Sequence, residues 1–220
     1  MKKVLVLFMA AALAAGSQAM VVIDSFVNID FDSGTVTSWP FKGFDAPWAT
    51  EILGWTNYPS TGPLNDAGVE GPGAWWLTQA YTDVHKNAGF MSAGDAAYTM
   101  SSYTIQAGDV FFIKYIAGVW GWTGTGQWTA SLFYNHPDNV FGSYVQNINS
   151  WMPDGVWYSD SVGIPATPAA VGGTLGILLK STGTGIVQID EITVSVVSIP
   201  EPTIMALLSL GTLTLLRKRK

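Results

Sequence analysis

The stretch AYTMSSYTIQAGDVFFIKYIA, Ala97 to Ala117, decides the fold. Two runs rich in aromatic and β-branched residues, Ala97 to Ile105 and Val110 to Ala117, flank the step Ala107-Gly108-Asp109. Such runs fit a pleated, half-buried surface, and a glycine beside an aspartate supplies the turn between them. Working outward, similar runs recur at Val21 to Ile29, Gln127 to Tyr134, Gly155 to Asp160, Leu175 to Lys180 and Ile186 to Val197. Clusters of Gly, Pro, Asn and Asp separate them, and Ser181 to Gly185 reads as a tight connection before the last run. That last run is apolar on both faces near its ends and is interrupted by Asp190 and Glu191. Outside the chain ends no run of helical period exceeds two turns, so the spacing predicts an all-β sandwich.

Between Thr35 and Gly94 the pattern weakens, because Trp39-Pro40, Ala46-Pro47, Tyr58-Pro59, Gly62-Pro63 and Gly71-Pro72-Gly73 break any long element. Long loops with a few short strands are expected there, and loops on a rigid sandwich commonly carry binding.

The two ends read as addresses. Lys2-Lys3, an apolar run from Val4 to Ala15 and the small residues before Ala19 form a secretory signal peptide over 1–19. Twelve apolar residues are too few for a comfortable membrane span. At the other end, Ile199-Pro200-Glu201-Pro202 cannot extend a strand ladder or a helix, because proline has no amide donor. Thr203 to Leu216 would form a helix about 21 Å long, against a hydrocarbon core of about 30 Å. Arg217-Lys218-Arg219-Lys220 then holds the end on the cytoplasmic side. An ordinary C-terminal anchor with a proline linker is the plainer alternative.

Pro200-Glu201-Pro202, the short apolar run and the basic end resemble, in that order, the PEP-CTERM sorting signal of bacterial exosortase substrates. The resemblance implies transient anchoring in the inner membrane and recognition of the Pro-Glu-Pro step by an exosortase-type processing enzyme. Release to the cell surface or an extracellular polysaccharide matrix would follow.

Without its ends the chain is one domain of ordinary size, 20–198. It holds four lysines, no arginine and fifteen acidic residues, a formal balance of −11, so a nucleic-acid partner is excluded on charge. Cysteine is absent, which removes disulfides, thiol chemistry and cysteine-ligated metals.

Leu53-Gly54-Trp55-Thr56, Gly68-Val69-Glu70, Tyr103 to Asp109 and Ile189-Asp190-Glu191-Ile192 together resemble the galactose-binding-like jelly rolls of many carbohydrate-binding modules. The expectation is a single jelly-roll β-sandwich flanked by an N-terminal signal helix and a short C-terminal hydrophobic helix. The resemblance also implies a structural calcium ion held by Asp30, Asp32 and Asp190, with the last-strand aspartate tied to the first strand region. The same residues read equally well as turn and bulge residues. Trp75, Trp76, Trp120 and Trp122 are the candidate sugar platforms, since flat aromatic faces stack on the apolar faces of sugar rings, although large aromatics also fill sandwich cores. No spacing singles out a pair of carboxylates for glycoside hydrolysis. His136-Pro137-Asp138-Asn139 reads as a turn after the strand ending at Tyr134. The expectation is therefore a non-enzymatic, structural or adhesive exported protein that contacts polysaccharide, the alternative being a carbohydrate-active enzyme on the same scaffold.

Overall fold

The computed structural model describes residues 19–32, 41–43, 53–58, 67–70, 87–119, 126–148, 158–183 and 185–198. These form an all-β sandwich of two antiparallel sheets, and no helix occurs among the described residues. The expected signal helix and C-terminal helix fall outside them.

The strands are β1 (Val21–Val22), β2 (Phe41–Gly43), β3 (Thr56–Tyr58), β4 (Ala67–Glu70), β5 (Ala88–Met91) and β6 (Ala96–Thr104). There follow β7 (Asp109–Val119), β8 (Gly126–Tyr134), β9 (Val140–Ile148), β10 (Tyr158–Pro165), β11 (Thr174–Ser181) and β12 (Val187–Ser198). One sheet runs β10-β7-β12-β5-β4-β2, with β1 paired to β12, and the five-stranded sheet runs β3-β6-β11-β8-β9. Strands β6 and β7, adjacent in the chain, lie in different sheets, so the connection through Gly108 crosses the sandwich rather than closing a hairpin. Gly108 holds a positive φ of 82°, which explains glycine at that corner.

The core lies between the inward faces, where Phe111, Ile113 and Tyr115 of β7 meet Trp128 and Leu132 of β8 and Ile177 of β11. Each such side chain contributes about 1.5–3 kcal/mol through burial. Tyr115 packs edge-on against Trp128 with centroids 4.8 Å apart, and its hydroxyl bonds the Gln146 side chain. Where these large residues fill the interior, β6 presents the small Ala97, Thr99 and Ser101 inward, and Tyr103 near its end packs on Phe111. Its larger Tyr98 and Met100 therefore point outward.

The run from Val21 to Ile29 is a strand only at Val21–Val22; Ile23 then donates to Val194 O at 2.8 Å and the chain turns away. Side-chain ties hold this arm. Trp55 Nε1 donates to Asn28 O at 2.8 Å, Asn28 Nδ2 donates to Leu53 O at 3.1 Å, and Phe31 stacks on Trp55 with centroids 4.9 Å apart. The Phe31 ring lies over Gly89, where a Cβ would overlap it. The register of β12 shifts between Asp190 and Thr193, and the Asp190 carboxylate accepts the Glu191 amide at 2.7 Å inside that bulge. Val21 pairs with Val196, so the first and last strands of the fold lie side by side.

Candidate functional site

A strand pointing large residues away from the core exposes them unless something packs there. On the outward face of the five-stranded sheet they pack on each other. Ala96, Phe133 and Leu178 form a second apolar cluster, with Tyr58, Tyr98 and Met100 packed around it. Phe133, wholly inaccessible, lies against Gly176 of the neighbouring strand, and a Cβ on Gly176 would overlap three atoms of its ring. The absence of a side chain at 176 is what seats the ring.

Three rings follow one another across this face. Tyr58 meets Tyr98 edge-on at 6.5 Å between centroids, and Tyr98 meets Phe133 edge-on at 5.8 Å. Such edge-to-face pairs add about 0.5–1.5 kcal/mol beyond burial. In the sheet, β6 and β11 separate Tyr58 on β3 from β8, three strand spacings of about 4.8 Å. Yet the Tyr58 hydroxyl donates to Asp138 Oδ1 at 2.5 Å, from the β8–β9 connection. The hairpin tip and the Tyr58 side chain thus lean toward each other over the rings. That hydrogen bond, then partial burial and the charge of Asp138, raises the Tyr58 pKa above its ordinary value. His136 Nδ1 lies 3.3 Å from Asp138 Oδ2 and also accepts the Asp138 amide, with both side chains about two-thirds exposed at 63% and 67%.

The other half of the face carries polar side chains around an exposed Val145. Ser131 and Ser143 share a hydrogen bond of 2.8 Å, Gln127 Nε2 donates to Asn147 Oδ1 at 2.6 Å, and Thr182 donates to Gln127 Oε1 at 2.7 Å. Lys180 shares a row with Tyr58, both registering with Ala96. None of the five strands contains an aspartate or a glutamate. The face therefore offers aromatic edges, hydroxyls and amides, and its one acidic side chain among the described residues comes from the hairpin tip. This chemistry suits a neutral, hydroxyl-rich ligand. A facing pair of carboxylates is not built from these strands.

Of the residues singled out by sequence, Trp75, Trp76, Trp120, Trp122 and Pro200-Glu201-Pro202 lie outside the described residues. Asp30, Asp32 and Asp190 are described, and each carboxylate holds a backbone amide. Asp30 Oδ1 accepts from Asp32 N at 3.3 Å, Asp32 Oδ1 from Asn87 N at 3.1 Å, and Asp190 Oδ1 from Glu191 N. Among the described residues, no group of three or more His, Asp or Glu side chains is placed to hold a metal ion. Asp190 is 2% exposed, whereas Glu191, with Asp24 and Asp30, lines a cleft of about 400 Å³. Each of the three carboxylates thus has a local backbone partner, Asp30 and Asp32 in the arm and Asp190 in the bulge.

Tyr58, Tyr98, Phe133 and Leu178 were not among the sequence candidates. Their signal is present, since the large residues Tyr98 and Met100 alternate with small Ala97, Thr99 and Ser101 along β6.

No protein-family model matches the chain, and no curated protein does. Solved structures share its fold. The apo form of a cyclase from Fischerella sp. is 17% identical, with a TM-score of 0.60 over 83% of this chain and 98% of that one. The Stig cyclase Fisc from Fischerella sp. TAU is 16% identical, with a TM-score of 0.56 over 83% of this chain and 100% of that one. The CBM22-1–CBM22-2 tandem domain of Paenibacillus barcinonensis Xyn10C, a pair of carbohydrate-binding modules, is 13% identical, with a TM-score of 0.50 over 84% of this chain and 49% of its own. The chain has the jelly-roll fold of such modules.

Proposed function

We propose that this is an exported polysaccharide-binding protein whose ligand lies on the outward face of the five-stranded sheet. One observation carries the reading: the part-exposed rings of Tyr58 and Tyr98, seated on the buried Phe133, beside a half-face of serine, glutamine and asparagine. Sugar rings need an apolar surface for their C–H faces and donors and acceptors for their hydroxyls, and the two halves of this face supply both. The fold shared with carbohydrate-binding modules supports it. The acidic domain surface disfavours anionic polymers, so the ligand is a neutral glycan.

The protein would act by adhesion, as part of the cell surface or its polysaccharide matrix, without catalysis. Its leader would carry it across the inner membrane, and the tail around Pro200-Glu201-Pro202 would hand it to an exosortase-type enzyme. The adjacency of β1 and β12 supports this arrangement, because both tethers would leave the fold from neighbouring strands.

Affinity electrophoresis of the full chain through gels containing neutral polysaccharides tests the reading. Wild type is expected to be retarded, and Tyr98→Ala to lose about tenfold or more in affinity, the worth of roughly 1.4 kcal/mol. Equal mobility of both proteins in every gel would refute it. Release of reducing sugar from those polymers would favour the enzymatic alternative.

A further inference from the structure

One cation stands in the middle of the outward face. Lys180 is the sole charged residue of β3, β6, β8, β9 and β11, and it lies on β11, the central strand of the five. It registers opposite Ala96 and is two residues from Leu178, both members of the outward cluster, so it faces the same way. Its cross-strand neighbours, Ala96 and Thr129, are small, and its side chain is partly exposed. Among the described residues it has no ion-pair partner, although the domain carries a formal balance of −11. Other polar groups of the face are committed to one another, Ser131 to Ser143, Gln127 to Asn147 and Thr182 to Gln127. Lys180 instead brings three ammonium donors that no described residue takes up.

Tyr98 registers opposite Leu178, which makes it the diagonal neighbour of Lys180, two positions about 7–8 Å apart. One pyranose unit bridges that spacing: with a C–H face on the Tyr98 ring, the hydroxyls at its edge lie over Lys180. Stacking reads only a flat C–H surface, whereas a fixed donor favours oxygens at particular positions and penalises their absence. We infer that Lys180 is the specificity-determining residue of this face, donating to neighbouring hydroxyl oxygens of the neutral sugar that Tyr98 seats and so selecting among neutral glycans by hydroxyl orientation. The inference rests on the polysaccharide-binding reading above. The contact joins a charge to uncharged hydroxyls, so it needs no anion on the ligand and is little weakened by salt.

The test is affinity electrophoresis of the full chain in gels containing xylan, glucan, mannan or galactan, at low and at high salt, with mobility referred to a gel without polymer. Wild type, Tyr98→Ala and Lys180→Met are compared, methionine keeping an unbranched stem without the charge. Tyr98→Ala is expected to lose affinity by a similar factor for every polymer that retains wild type. Lys180→Met is expected to lose about tenfold for the polymer that wild type prefers and little for the others, so that the preference narrows. An unchanged affinity of Lys180→Met, or one common factor of loss across several retaining polymers, overturns the assignment; if Tyr98→Ala has meanwhile lost binding, the polysaccharide reading stands. A wild-type affinity that falls steeply with salt also overturns it, because Lys180 then pairs with an anionic group. Wild type retained by no polymer removes the reading itself, and the assignment with it.

Discussion

At the scale of single residues, Tyr103 shows how a buried acid marks its neighbours. Burial, then the hydrogen bond to Asp109 and the charge of that carboxylate, push the Tyr103 pKa up to about 12 from an ordinary 10.0, against a smaller opposing effect of Ser198. A folded-state pKa above the unfolded value stabilises the fold fully below the unfolded pKa, and the contribution is lost as pH climbs through the folded one. Tyr103 should therefore withdraw stability between about pH 10 and about pH 12. Thermal melts of wild type and Tyr103→Phe at about pH 9 and about pH 11 check this. The fall in Tm between the two is expected to be smaller in the variant, and an equal fall would show that the hydroxyl's environment is ordinary.

Between elements, the contact of β8 with β11 decides whether the outward face exists. Gly176 leaves room for the Phe133 ring, which has no exposed surface into which to move. Gly176→Ala should cost about 2 kcal/mol by overpacking, a fall in Tm of about 6 °C for a domain of this size. Gly172→Ala is the informative comparison. At Gly172 nothing lies within reach of a Cβ, so only the positive φ of 83° resists the substitution, at about 1 kcal/mol. A differential scanning measurement that ranks the two the other way would mean that Phe133 is not fixed by its neighbour.

The same scale shows what the sequence could tell. Strands β6, β7, β8, β11 and β12 are legible as apolar runs between glycine and aspartate clusters, because each buries one face in the shared core. Strand β9, with the sequence VFGSYVQNI, is not among those runs. It is an edge strand whose outward Ser143 and Asn147 are satisfied by bonds to β8 side chains, so no apolar alternation advertises it. The interruption at Asp190-Glu191 is visible in the sequence, but its consequence is not: at a register shift Asp190 is buried, while Glu191 and Asp30 line one cleft. The Tyr58–Asp138 bond joins residues eighty positions apart, and no local pattern reports such a contact.

For the molecule as a whole, the proposed function gives the two outward surfaces of the jelly roll different tasks. The seven-stranded sheet contains β1 and β12, the first and last strands, while the five-stranded sheet carries the rings and the polar half-face. A charge of −11 on the domain and five strands without acidic residues agree with a neutral ligand met at one face. Hydrogen–deuterium exchange on the full chain, with and without a retained neutral polysaccharide, tests this most directly. Slowed exchange in β3, β6 and the β8–β9 hairpin is the predicted result; slowing confined to the seven-stranded sheet, or nowhere, would contradict the account.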